Sequence, residues 1–136
     1  MAFMETIIAR ETYVEWMKSC LEAWNQSDAE LTASFYADTL DYRDPNTPGG
    51  IQNKSDFVRY LKILFRKWPR QRWDQYHVMP HEQPGCFSIS YRFEFGNDKR
   101  TIRGYGIDRM EFSGDRIRLN HVYLNPELWS EWMRRP

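Results

Sequence analysis

Asp108 occupies a position at which a charged carboxylate is expensive. The run Ile102-Arg103-Gly104-Tyr105-Gly106-Ile107-Asp108-Arg109-Met110-Glu111-Phe112 reads as a strand, and Asp108 shares its even-numbered, apolar face with Ile102, Met110 and Phe112. A carboxylate facing a core has three physical solutions: it is protonated, it is paired, or it opens onto a pocket. A paired aspartate is a structural anchor, whereas an acid beside a cavity and a second polar group is equipped for catalysis. The other reactive residue types narrow the choice. His77, His81 and His121 lack a helical pair or an HExxH spacing, with Pro80 between the first two, so no metal site is expected. There is no Gly-rich phosphate loop, GxSxG elbow or paired Cys/His nucleophile. Chemistry without a cofactor, or no chemistry, is what these residues leave.

Length and charge limit the setting. A chain of 136 residues is expected to form one domain, spanning 1–136, with a real core. Its 19 basic and 19 acidic side chains cancel, which removes the electrostatic case for nucleic acid or an anionic membrane as partner. Cys20 and Cys86 lie far apart, without CxxC or metal spacing, and fit a reduced, cytoplasmic protein. No apolar run approaches the ~20 residues of a membrane span, and the first ten residues lack a signal-peptide pattern.

The elements run from helices to strands. Thr12 and Glu15 have capping-box spacing, and Tyr13, Met17, Cys20, Leu21 and Trp24 recur along one face of a first helix. Ser27 and Glu30 repeat that spacing for a short second helix with Leu31 and Phe35 as its apolar pair, ending near Ala37. A strand from Leu40 to Arg43 should stop at Asp44-Pro45, where proline removes a ladder donor, and Asn46 to Gly50 reads as a loop. A third helix starting at Asn53 to Ser55 carries the stripe Phe57, Leu61, Leu64, Phe65 and Trp68 before Pro69. Arg72 to Met79 reads as a strand, and Phe87, Ile89, Tyr91, Phe93 and Phe95 alternate strictly with polar residues in the next. Turns at Gly96-Asn97-Asp98 and Ser113-Gly114-Asp115 join that strand to the Asp108 strand and to Arg116–Leu124 as a meander. Asn125-Pro126 opens a last short helix with Leu128, Trp129 and Trp132. Helices on one side of a curved antiparallel sheet make an α+β cone whose mouth leaves an apolar cavity.

The stretch Tyr36-Ala37-Asp38-Thr39-Leu40-Asp41-Tyr42-Arg43-Asp44-Pro45, the helix after it, and Gly106 to Phe112 with Gly114 and Arg116-Ile117 resemble the nuclear-transport-factor-two-like superfamily. Its members include SnoaL-like polyketide cyclases and ketosteroid isomerase. The resemblance covers roughly Tyr13 to Trp132. It implies that Asp44 is a general base taking a proton alpha to a carbonyl, that Asp108 is a neutral acid donating to the enolate oxygen, and that Tyr36 supports this network; ketosteroid isomerase itself keeps an aspartate neutral in this way, in an apolar site. Cys20 stands where the isomerase has its oxyanion tyrosine, and Asn120 replaces an apolar pocket residue and offers a donor. Trp24, Tyr60, Phe93 and Met110 would line the cavity around a small apolar substrate.

Two other readings follow from the same resemblance. A hydrophobic-ligand binder or dimerisation module would use the pocket without turnover, which Cys20 favours. A limonene epoxide hydrolase would use Tyr42-Arg43-Asp44 and Arg92-Phe93-Glu94, but its final aspartate falls on Val122, and alternation turns Phe93 inward and Arg92 outward. The outward face, with Arg92, Tyr105 and His121, is expected to join two copies into a homodimer.

Overall fold

The computed structural model describes residues 8–125. Its elements are α1 (Arg10–Asn25), α2 (Ala29–Ala33), β1 (Tyr36–Arg43), β2 (Ile51–Asn53), α3 (Lys54–Lys67), β3 (Arg70–Pro80), β4 (Cys86–Gly96), β5 (Thr101–Ser113) and β6 (Arg116–Leu124). The strands form one curved, unclosed sheet of order β2-β1-β6-β5-β4-β3. Strands β4 to β6 are the expected antiparallel meander, and β3 extends it by pairing antiparallel with β4. Strand β1 pairs parallel with β6, placing Tyr42 beside Asn120 and Arg43 beside His121. That pairing spans most of the chain, and a local sequence pattern carries no trace of it.

The core lies between the helices and one face of the sheet. Helix α1 buries Tyr13, Met17, Cys20, Leu21 and Trp24, and α3 buries Phe57, Leu61, Leu64 and Phe65, the two stripes read from helical spacing. On β4, Phe87, Ile89, Tyr91, Phe93 and Phe95 are all buried. Each such side chain contributes roughly 1.5–3 kcal/mol through removal from water. Helix α3 is capped by Asn53, whose side chain accepts from the Asp56 amide.

Several local expectations fail for identifiable reasons. Helix α1 begins at Arg10 with no side-chain cap, because the Thr12 and Tyr13 amides bond to the Ala9 carbonyl and draw Thr12 inside the first turn. The α2 cap is Asp28, which accepts from the Leu31 amide. Ser27 sits at φ 54° and donates its hydroxyl to the Pro69 carbonyl instead. Helix α2 ends at Ala33 and turns Ala29, Thr32 and Ala33 inward, leaving Leu31 exposed. Strand β1 then begins at Tyr36, four residues before the expected start. The helix expected after Asn125 lies outside the described residues. No helix among the described residues is long and apolar enough to cross a membrane.

Candidate active site

Asp44 lies just beyond the end of β1, where Pro45 turns the chain away from the sheet. It is only 6% exposed. Its Oδ1 accepts from the Asn46 amide at 2.8 Å and the Thr47 hydroxyl at 3.0 Å, the geometry of an aspartate that shapes its own loop. Its Oδ2 accepts from Tyr42 Oη at 2.9 Å and Tyr60 Oη at 2.5 Å. Tyr42 precedes it by two residues on the same face of β1, and Tyr60 reaches in from α3. Burial, followed by the nearby Asp44 carboxylate, drives both phenols upward from their ordinary value, so both stay protonated donors.

Asp108 is 5% exposed and faces inward from β5. Tyr91 Oη donates to its Oδ1 at 2.5 Å and Asn120 Nδ2 to its Oδ2 at 2.9 Å. Desolvation raises its pKa from 3.8 to about 7; the Tyr91 and Asn120 hydrogen bonds oppose the rise, and the charge of Asp44 adds to it. Two of the three solutions therefore coexist: the carboxyl is paired with donors and is still a weak acid. Gly106 makes the Tyr91 contact possible. A Cβ there would stand 2.7 Å from Tyr91 Cε1, 2.8 Å from its Oη and 2.8 Å from Leu124 Cδ2. Tyr91, whose strand partner is Gly106, leans across that gap to Asp108 two residues further along β5.

Asn120 Oδ1 accepts from Tyr36 Oη at 2.7 Å, and Cys20 Sγ lies 3.9 Å from that phenol. Tyr36, Asn120 and Asp108 thus meet in one hydrogen-bonded line, with Cys20 behind them. Cys20 is fully buried, which pushes its thiol up to about 12 despite the hydrogen bond to Tyr36. Trp24 and Phe93, also expected to line a pocket, pack against other aromatic rings. The Trp24 ring lies 5.5 Å from Trp73 and 5.6 Å from Phe65, and Phe93 lies 4.8 Å from Phe95. Met110 is buried in the same core.

A cleft of about 550 Å³ opens at the end of β1, lined by Arg43, Asp44, Pro45, Pro48, His121, Val122, Tyr123 and Leu124. Val122 and Leu124 are the strand partners of Asp108 and Gly106, so the cleft and the buried acid share a wall. At the rim, Asp41 takes Arg43 Nε at 2.9 Å and lies 3.1 Å from His121 Nε2, the latter off hydrogen-bonding alignment. Burial works against the Asp41 charge, but Arg43 and His121 outweigh it and lower its pKa. Arg92 lies over Tyr105 on the outer face, 5.1 Å from the ring centroid, and Glu94 binds the exposed Arg103. The two halves of the epoxide-hydrolase pattern are therefore on opposite faces of the sheet. Among the described residues, no three His, Cys, Asp or Glu side chains cluster as a metal site.

Sequence reasoning passed over Tyr91, Thr47 and the role of Gly106. Tyr91 carried a usable signal, a phenol at an inward position of an otherwise apolar strand. Thr47 carried none beyond its place after Asp44-Pro45.

Comparison with known proteins gives one family and one fold. A family model for the SnoaL-like domain matches residues 17–120. A candidate polyketide cyclase from Xanthomonas campestris pv. campestris is 15% identical, with 92% of this chain and 96% of that one covered at a TM-score of 0.76. A phenazine biosynthesis-related protein from Pseudomonas aeruginosa is 12% identical, with coverage of 100% and 89% and a TM-score of 0.77. A candidate polyketide cyclase from Pseudomonas putida KT2440 is 13% identical, with coverage of 88% and 96% and a TM-score of 0.75. At these identities the likeness is one of fold. No curated protein matches the sequence.

Proposed function

The chain belongs to the SnoaL-like domain family, and on that footing we propose that it is a small-molecule enzyme that moves a proton alpha to the carbonyl of an apolar substrate. Asp44 is the base: it takes the proton, the C–H electron pair passes to the carbonyl oxygen, and protonated Asp108 hydrogen-bonds the resulting enolate. The substrate enters by the cleft, with its apolar body against Pro45, Pro48 and Val122, and its oxygen reaches Asp108 past Leu124. One observation carries this reading. Two buried carboxylates at the same end of the fold have contrasting environments, Asp44 with four donors on the cleft wall and Asp108 with two donors and a pKa raised to about 7. Such divergence within a pair of acids is how one site holds both an acid and a base.

Exchange of alpha hydrogens for deuterium, followed by proton NMR on a panel of planar aromatic ketones, tests it without knowledge of the product. The expected result is protein-catalysed exchange that Asp44→Asn abolishes while binding persists. Exchange that survives Asp44→Asn excludes Asp44 as the base.

A second reading, a binder of hydrophobic ligands without turnover, is favoured by the engagement of all four carboxylate oxygens with protein donors and by Cys20 in the oxyanion position. It predicts a ligand that raises the melting temperature by mass action and shows no exchange.

A further inference from the structure

Four buried side chains from four elements stand on one line of hydrogen bonds. Cys20 Sγ on α1 donates to Tyr36 Oη on β1 at 3.9 Å, Tyr36 Oη donates to Asn120 Oδ1 on β6 at 2.7 Å, and Asn120 Nδ2 donates to Asp108 Oδ2 on β5 at 2.9 Å. Every donor points toward Asp108, the polarity that an ionised carboxylate imposes on its neighbours. A proton placed on Oδ2 turns that oxygen into a donor facing another donor, the Asn120 N–H. The other oxygen is already held by Tyr91. An asparagine can relieve such a conflict by a half-turn of its amide, which exchanges oxygen and nitrogen in place.

We propose that, with no substrate bound, protonation of Asp108 reverses the whole chain, so that Asp108 donates to Asn120, Asn120 to Tyr36, and Tyr36 to Cys20. The proton comes from solvent and remains on Asp108 Oδ2. The phenol and the thiol keep their own hydrogens, and no bond between heavy atoms changes. Cys20 is a positioning residue here, acting on Asp108 through Tyr36 and Asn120.

The identity of the terminal residue fits this role. Reversal leaves the hydrogen of the last group without its acceptor, and in a dry interior an orphaned hydroxyl loses a strong interaction. A thiol is a weak donor and a weak acceptor, so it loses little in one state and serves adequately in the other. The phenols and the thiol do not compete for the charge change. The neighbours facing the chain are Tyr91 from β4, Tyr42 and Asp44 from the end of β1, and the Trp24 indole from α1. Burial holds the Tyr36, Tyr42 and Tyr91 phenols well above their ordinary value and pushes the Cys20 thiol up to about 12. Asp108, raised to about 7, is the member of the chain that changes charge near neutrality.

The infrared S–H stretch reads the terminus directly and needs neither substrate nor turnover. With Cys86→Ser the protein holds a single thiol, since Cys20 and Cys86 are its 2 cysteines. Cys86 lies away from the chain, beside Gln83 and Glu111. Spectra are taken from pH ~5 to ~9, spanning the raised carboxyl titration. The expected result is an S–H band that moves to higher frequency as the pH falls, with the same midpoint as the growth of the protonated-carboxyl C=O band. The S–H shift should vanish in Asp108→Asn. Should that variant fail to fold, the coincidence of the two midpoints in Cys86→Ser alone decides. A band that stays fixed while the carboxyl titrates, or that moves with a different midpoint, overturns the proposal, as does a shift that persists in Asp108→Asn.

Discussion

Asp108 is unusual because two opposing effects act on one carboxyl group, and desolvation wins over two hydrogen bonds. The sign of its pH dependence follows from linkage. The unfolded chain releases its proton near 3.8 and the folded chain near 7, so between these values the folded state binds more protons and stability falls as pH rises. The contribution of the neutral acid is fully present below ~3.8 and lost by ~7, a span worth at most on the order of 4 kcal/mol. Asp108→Asn lacks this titration, so it should gain stability relative to the parent from pH ~4 to ~7, as read from denaturant melts. A mutant that loses ground toward neutral pH would identify a charged structural anchor. Tyr91→Phe removes the donor to Oδ1 and should raise the Asp108 pKa further; carbon-13 NMR of the carboxyl group measures the shift, and an unchanged or lowered value contradicts the assigned role of Tyr91.

At the scale of elements, the meander owes its site to a missing side chain. Gly106 on β5 leaves the space through which Tyr91 crosses from β4, and a Cβ would meet that ring at 2.7 Å. Gly106→Ala is expected to cost roughly 1–3 kcal/mol through overpacking and to raise the Asp108 pKa by displacing the phenol. Calorimetry and the same carboxyl titration check both effects, and a neutral substitution would mean that β5 shifts freely. Helix α3, which delivers Tyr60 to Asp44, depends on its Asn53 cap. Asn53→Ala should lower stability by about 1 kcal/mol, and Asn53→Ser should recover most of it; equal losses in both variants would exclude a capping role.

At the scale of the molecule, the outer face of the sheet exposes Tyr105, Ile107 and Tyr123, at 60%, 40% and 57%. Ile107 and Tyr123 are strand partners, and Arg92 covers Tyr105, so these side chains form one amphipathic patch. We expect this patch to join two copies as a homodimer. Light scattering should give about twice 16.5 kDa, and Ile107→Asp should return the particle to the monomer mass. A parent that scatters as a monomer across micromolar concentrations removes the expectation.

Much of the fold was written in periodicity. The α1 and α3 stripes and the β4 alternation are local patterns, and each buried the face that its period indicated, because a side chain's direction follows from its own backbone. The inward register of Asp108 belongs to the same class. Helix starts were less legible, since Ser27 and Thr12 carry capping chemistry that the chain spends on the Pro69 carbonyl or draws into the first turn. Tertiary structure alone decided the rest. The parallel pairing of β1 with β6 sets Tyr42 beside Asn120 and brings Tyr36 within reach of the Asn120 amide, across 84 positions of sequence. Trp24, Phe93 and Met110, expected to line an apolar cavity, are buried in the core, and an open cleft lies at the end of β1. Periodicity tells which way a residue points, while the partners it meets, and the space left between them, depend on how distant segments pack.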